Sequence, residues 1–266
     1  MSSIALDLGI IQIYWYSIFI FLGVLLGSIL IYQECKKQKI EEEFLINMLF
    51  NLVIFGILGA RIYYVLFNIS YYQNHLVEIF QIWNGGLAIH GAIISGILVV
   101  VYFCNKYHKN LLKILDILAV GLILGQAIGR WGNFFNSEAY GAITSLKALQ
   151  QAGIPKFVID GMYIMGAYHQ PTFFYESVWN IFGFLAMILI RKYKYLRVGF
   201  LTGFYFVWYS VGRFIIEGMR TDSLMFGPFR MAQIVSIILF LVGIFIIIYT
   251  YKKSKGHFDN LYNEVK

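Results

Sequence analysis

In GRFIIEGMR, residues 212–220, Arg213, Glu217 and Arg220 stand at i, i+4 and i+7 and so share one face of a helix. A carboxylate between two guanidinium groups can fix both rotamers while leaving N–H donors for an anion, and Arg binds phosphate in a bidentate fashion. AIGRWGNFFNSEAYG, residues 127–141, repeats the theme. Gly129 and Gly132 flank Arg130 and permit close approach of a backbone or a lipid. Asn133 follows one turn on, on the same face, with an amide that can donate to a phosphate or an ester carbonyl. WNGGLAIHGAIISG, residues 83–96, adds a titratable group. Its His90 is an imidazole in an otherwise apolar run, and imidazole is the side chain suited to moving a proton near neutral pH.

These groups must be positioned by apolar elements. The 266-residue chain is 59% hydrophobic and 13% charged, with three prolines. Apolar stretches recur near 12–32, 44–67, 88–104, 112–130, 172–190, 198–216 and 230–251. Each is long enough to cross roughly 30 Å of hydrocarbon as a helix. The pattern predicts an all-α polytopic membrane protein with seven transmembrane helices, a single integral-membrane domain over 1–266. The first stretch lacks a basic leader and a small-residue cleavage site, and is read as a retained span. The connection over 131–171 is expected to fold as a small cap on the outer face.

The net charge is +7, yet the basic residues form no single patch of the kind that binds nucleic acid. They fall at Lys36/Lys37/Lys39, Lys106/Lys109/Lys113, Arg191/Lys192/Lys194/Arg197 and Lys252/Lys253/Lys255, that is, in every second connection and the tail. The positive-inside rule then predicts an outer N-terminus and a cytoplasmic C-terminus. Cys35 and Cys104 fall at cytoplasmic ends, where thiols stay reduced, so no disulfide is expected.

The ionisable groups inside the spans share a depth. At ~1.5 Å per residue, Glu43 to Arg61 is about 27 Å, Lys106 back to His90 about 24 Å, Lys113 to Arg130 about 25 Å, and Arg197 to Arg213 about 24 Å. Four helices thus carry a cationic or titratable group to one level in the outer part of the membrane. The nearby carboxylates, Glu138, Glu217 and Asp222, are outnumbered by arginines, and such an excess at headgroup depth calls for a lipid phosphate. An anion transporter would also bury arginines, but it would carry polar residues on through the inner halves of the spans and often an internal repeat. A structural scaffold gives no reason for the common level.

Together these segments resemble the bacterial prolipoprotein diacylglyceryl transferase family. GRWGNFFNSEAYG, residues 129–141, is similar to the family pattern G-R-x-G-N-F-x-N-x-E-x-x-G. WYS at 15–17, GARIYYVLF at 59–67, GGLAIHG at 85–91, HQPTFFYE at 169–176 and GRFIIEGMR agree in order and spacing. Ser137 stands where Gly is common, and Ser17 likewise. The resemblance implies transfer of the diacylglyceryl group of phosphatidylglycerol to the cysteine thiol of a lipoprotein signal peptide in the bacterial cytoplasmic (inner) membrane, with no metal or organic cofactor. By position it implies phosphatidylglycerol-binding roles for Arg61, Arg130, Asn133, Glu138, Gly141, Arg213, Glu217 and Arg220. His90, Tyr16, Arg130 and Arg213 are the catalytic candidates, with His90 preferred as base and Tyr16 its alternative.

Overall fold

The computed structural model describes residues 3–7, 9, 12–193 and 196–253; Lys194 and Lys255 of the basic clusters lie outside them. A short hairpin, β1 (Ile4–Asp7) and β2 (Gln12–Tyr14), leads into α1 (Trp15–Lys37). Then come α2 (Glu42–Phe67), a four-residue turn α3 (Ile69–Tyr72), two short 3-10 turns over Leu76–Phe80 and Ile82–Asn84, α4 (Ile89–Lys106) and α5 (Leu111–Asn136). After α5 follow β3 (Ile143–Thr144), α6 (Leu146–Gln151), α7 (Lys156–Gly161), β4 (Tyr163–Ile164) and β5 (Ala167–His169). The chain closes with α8 (Thr172–Ile190), α9 (Phe200–Met219), the hairpin β6 (Met225–Phe226) and β7 (Phe229–Arg230), and α10 (Met231–Lys253).

Among the described residues, six helices are long and apolar enough to cross a membrane: α1, α2, α4, α5, α8 and α10. Their outer sides leave large apolar groups such as Phe21, Phe50, Phe182 and Phe245 exposed, as a multi-pass membrane protein must where lipid replaces water. The expected sixth stretch forms a helix too, α9, but Thr202, Tyr205, Trp208, Tyr209 and Ser210 dilute its apolarity. The fourth helix runs on to Asn136, past the expected 130, so Arg130 and Asn133 do lie a turn apart on one helix.

The chain divides into two compact units, residues 1–33 with 115–266, and residues 34–114. Glycine lets helices within each unit approach closely, the usual substitute for hydrophobic association inside a bilayer. In the first unit, a Cβ on Gly23 or Gly27 of α1 would come within 2.9 Å of a backbone oxygen of α5, at Gly125 and Gly121. A Cβ on Gly243 of α10 would meet the Gly203 oxygen of α9 at 2.7 Å. In the second unit, Gly59 of α2 and Gly91 of α4 stand in the same relation.

Asp116 of α5 supplies what α9 lacks at its start. Gly199 precedes α9 in a left-handed conformation and brings no capping side chain. Asp116, fully buried, accepts instead from Gly199 N (2.6 Å), Thr202 N (2.7 Å) and Thr202 Oγ1 (2.6 Å). This satisfies two amides at the start of α9 from a neighbouring helix. Asp116→Ala would leave these donors buried and unpaired, at about 1–3 kcal/mol each. We expect its thermal midpoint to fall by about 10 °C in a detergent melting assay. A melting curve matching the wild type would show that water or a shifted α9 replaces the carboxylate.

Residues 137–171 fold as a small α+β piece on the end of α5. The sheet order is β3-β5-β4, all antiparallel. Leu149, Ile154, Val158, Ile159 and Met162 pack under it against Phe134 of α5 and Phe173 of α8. The two short helices α6 and α7 therefore help to give this piece a core of its own.

Candidate active site

The first unit contains a chain of alternating charges across α5, α8 and α9. Arg130 Nη2 lies 2.5 Å from Glu176 Oε1, and Arg213 Nη1 lies 3.3 Å from Glu176 Oε2. Arg213 Nη2 then meets Glu217 Oε2 at 2.7 Å, the i, i+4 pair expected from the sequence. Both carboxylates are buried, at 3% and 2% exposure. The arginine side chains keep 22% and 15% of their surface, so the positive members of the ladder are its more accessible part. A guanidinium carries five N–H donors. Contact with Glu176 through one nitrogen of Arg130 therefore leaves others able to face a ligand.

Glu176 is the residue that sequence reasoning missed, although it lies in the quoted HQPTFFYE. It corrects the expected surplus of arginine: within the ladder, two positive charges are balanced by two negative ones. A buried charge inside an apolar run needs a cation, and that signal was available in the fifth stretch. Arg220 does not turn to Glu217. It forms a two-pronged clasp on Asp222, with Nε to Oδ1 at 2.9 Å and Nη2 to Oδ2 at 2.8 Å. That clasp holds the Asp222 carboxyl below the usual carboxylate range. The clasp thus persists across ordinary carboxylate titration and is lost only as pH falls through the depressed value. Arg230 donates to the Glu217 carbonyl, tying β7 to the end of α9.

Asn133, Glu138 and Gly141 shape the turn after α5. Asn133 Nδ2 donates to Glu138 Oε1 (2.8 Å), as does Asn136 Nδ2 (3.3 Å), so Glu138 holds these amides, while the carboxylate at Arg130 is Glu176. Ser137 has φ 51°, a left-handed value that explains why Gly is common at this place in the pattern. Gly141 crosses the end of α9 as an isolated bridge to Arg220, with its N–H on Gln170 O (2.9 Å) and Ala142 N–H on Met219 O (3.2 Å). Any Cβ at Gly141 would sit 2.9 Å from the Met219 oxygen. Tyr16, half exposed at the start of α1, lays its ring over Gly132 of α5, where a Cβ would come within 2.7 Å of it. Beside these groups, a cavity of about 500 Å³ with an apolar wall lies between α1, α5 and α8, lined by Phe19, Ala127, Trp131, Phe135, Ser177 and Ile181.

The second unit holds Arg61 and His90. Arg61 is buried and donates from Nε to Ile79 O (2.8 Å), from Nη1 to Gly85 O (2.8 Å) and Gly86 O (3.0 Å), and from Nη2 to Glu78 O (2.5 Å). Its guanidinium also covers the Tyr72 ring at 5.3 Å. The sequence reading put Arg61 among the phosphatidylglycerol ligands; in the structure carbonyls occupy its donors, and it pins the segment 78–86 that leads into α4. His90 lies exposed in the first turn of α4, its ring 5.8 Å from that of Tyr63.

The sequence pattern of the family described as prolipoprotein diacylglyceryl transferase matches residues 3–249. The chain belongs to that family. The phosphatidylglycerol–prolipoprotein diacylglyceryl transferase of Streptococcus suis is 48% identical to it over 256 residues, covering 96% of this chain and 94% of its own. That of Staphylococcus xylosus is 48% identical over 249 residues, covering 93% and 89%. That of Listeria innocua is 45% identical, covering 94% and 90%. In this diacylglyceryl transferase family member, then, a charge-balanced ladder with partly buried arginines shares helices α5 and α8 with the wall of an apolar cavity.

Proposed function

We propose that this protein transfers the sn-1,2-diacylglyceryl group of phosphatidylglycerol to the thiol of the signal-peptide (lipobox) cysteine of prolipoproteins, the first step of bacterial lipoprotein maturation. The observation that carries the chemistry is the ladder Arg130–Glu176–Arg213–Glu217 in an apolar body. The sulfur bonds to the glycerol carbon as that carbon's bond to phosphate oxygen breaks. Glycerol 1-phosphate leaves, and a phosphodiester becomes a monoester with more negative charge. Arginines held in advance beside the leaving oxygen stabilise that developing charge more than the starting diester, which is what raises a rate.

Arg130 and Arg213 clamp the phosphate, Glu176 and Glu217 orient them, and Asn133 serves the glycerol or ester oxygens with Glu138 as its support. Gly141 and Arg220 keep the end of α9 in register, and Arg61 keeps the approach to α4 in place. The acceptor thiol, with an ordinary pKa near 8.5, must lose its proton to attack well. His90 is the base in this reading, and Tyr16 is the alternative. α9 is the seventh span, the N-terminus is outside and the C-terminus cytoplasmic. Residues 131–171 form the outer cap of one membrane domain, and the ladder lies near the extracytoplasmic face of the cytoplasmic membrane.

The deciding assay combines purified protein, phosphatidylglycerol and a peptide bearing the signal cysteine, and follows glycerol phosphate release. Wild type should release it, and His90→Ala should be slower by about a hundredfold, the usual contribution of a general base. Absence of release by folded wild type would overturn the reading. An unimpaired His90→Ala would move the base to Tyr16.

A further inference from the structure

One turn along from the ladder, the same three helix faces carry a second polar layer with no charge in it. On α5, Gln126 is four residues before Arg130; on α8, Asn180 is four residues after Glu176; on α9, Ser210 is three before Arg213. Because α8 runs opposite to α5 and α9 in the ladder's order, all three steps lead the same way, about 6 Å toward the ends at Leu111, Ile190 and Phe200. Asn180 and Ser210 are each 1% exposed.

Among the described residues these groups have unmet hydrogen bonds. Gln126 Nε2 donates to the Tyr205 hydroxyl at 2.8 Å, but Gln126 Oε1 has no partner. Neither amide atom of Asn180 has one, and neither does Ser210 Oγ. Four orphaned polar atoms on three converging faces are far from the rule that buried polar groups are satisfied. The mixture decides what completes them. Gln126 Oε1 and Asn180 Oδ1 require donors, whereas Asn180 Nδ2 requires an acceptor. A lipid ester only accepts and a cation only attracts oxygens, but water does both, and a buried water needs two to four such partners.

We propose that Gln126, Asn180 and Ser210 bind a buried water cluster directly under the Arg130–Glu176–Arg213 ladder. The cluster supplies the hydrogen bonds that the apolar interior cannot, and it presents a fixed polar floor to the Glu176 carboxylate, which in turn aims both arginines. Asn180 is thus a positioning residue for the transfer step. That role rests on the transferase reading; the water site itself does not.

The test has two arms. Synchrotron hydroxyl-radical footprinting of the full chain in phosphatidylglycerol nanodiscs, in water enriched in oxygen-18, labels aromatic rings that touch bound water. Buried Tyr205 should acquire oxygen-18, and the label should drop about fivefold in Asn180→Leu while exposed Tyr163 stays constant. Ser210→Ala provides a second, milder variant should Asn180→Leu fold poorly. An unlabelled Tyr205 in wild type, or equal labelling in wild type and both variants, overturns the water site. In the transfer assay, Asn180→Leu should lower kcat about tenfold with KM for phosphatidylglycerol nearly unchanged, and Asn180→Ser, which can still hold a water, should recover most of it. Label at Tyr205 with wild-type kcat in Asn180→Leu would leave the water and overturn the positioning role.

Discussion

Arg130→Ala and Arg213→Ala should each lower diacylglyceryl transfer by about a hundred- to a thousandfold, the range for removing one fixed donor from a site of developing negative charge. Insertion into the membrane should be unaffected, because the apolar runs on which it depends are unchanged. The two substitutions differ in what they leave behind. Without Arg130, Glu176 keeps Arg213; without Arg213, Glu217 loses its side-chain partner and Glu176 keeps Arg130. Arg213→Ala should therefore also cost stability, and Arg130→Ala mainly rate. Lysine at either place restores charge without the planar fork and should recover only a small part. Glycerol phosphate release by each purified variant, beside its melting curve, measures both effects. Normal transfer by either alanine variant would dismiss the clamp.

Glu176→Gln carries the second large effect. The amide is nearly the same size, but it removes the one negative charge that two arginines share. Breaking a buried ion pair from one side costs about 3–5 kcal/mol, because the remaining charge stays desolvated. Part of that will appear as a lower melting temperature. The rest should appear as a loss of transfer of about a hundredfold, because both guanidinium groups lose their fixed aim. Glu176→Asp, one methylene shorter, should recover stability more than rate. A Glu176→Gln protein with wild-type transfer and stability would mean that each arginine is oriented by something other than the ladder.

Much of this architecture is local, and so was legible in the chain. Each apolar run became a helix within about six residues of its expected limits, and Arg213 to Glu217 follows from a four-residue spacing alone. What stayed hidden lies between helices. Glu176 has its partners 46 residues before it and 37 after it, and no periodicity within α8 reveals them. The purpose of Asp116 appears only when Gly199 and Thr202 are brought to it from α9. The surroundings of Arg61 were hidden for the opposite reason. Backbone carbonyls are present in every sequence and visible in none, so an arginine consumed by them resembles one awaiting a phosphate.

The stacked indoles of Trp179 and Trp208 carry an optical consequence. Their centroids are 4.5 Å apart at an interplanar angle of 21°, and each ring N–H donates to the other's backbone carbonyl, at 2.9 and 3.0 Å. Gly212 and Gly183 make room for them, since a Cβ at either would fall 2.3 Å from an indole atom. Two chromophores so close and so nearly parallel share their excited states. The protein should therefore show a split circular-dichroism band near the main indole absorption, which Trp179→Phe or Trp208→Phe would each erase. Because Glu176 is three residues from one ring and Arg213 five from the other, that band is a label-free gauge of the seam that aligns the ladder, readable in any detergent or lipid in which the protein absorbs light.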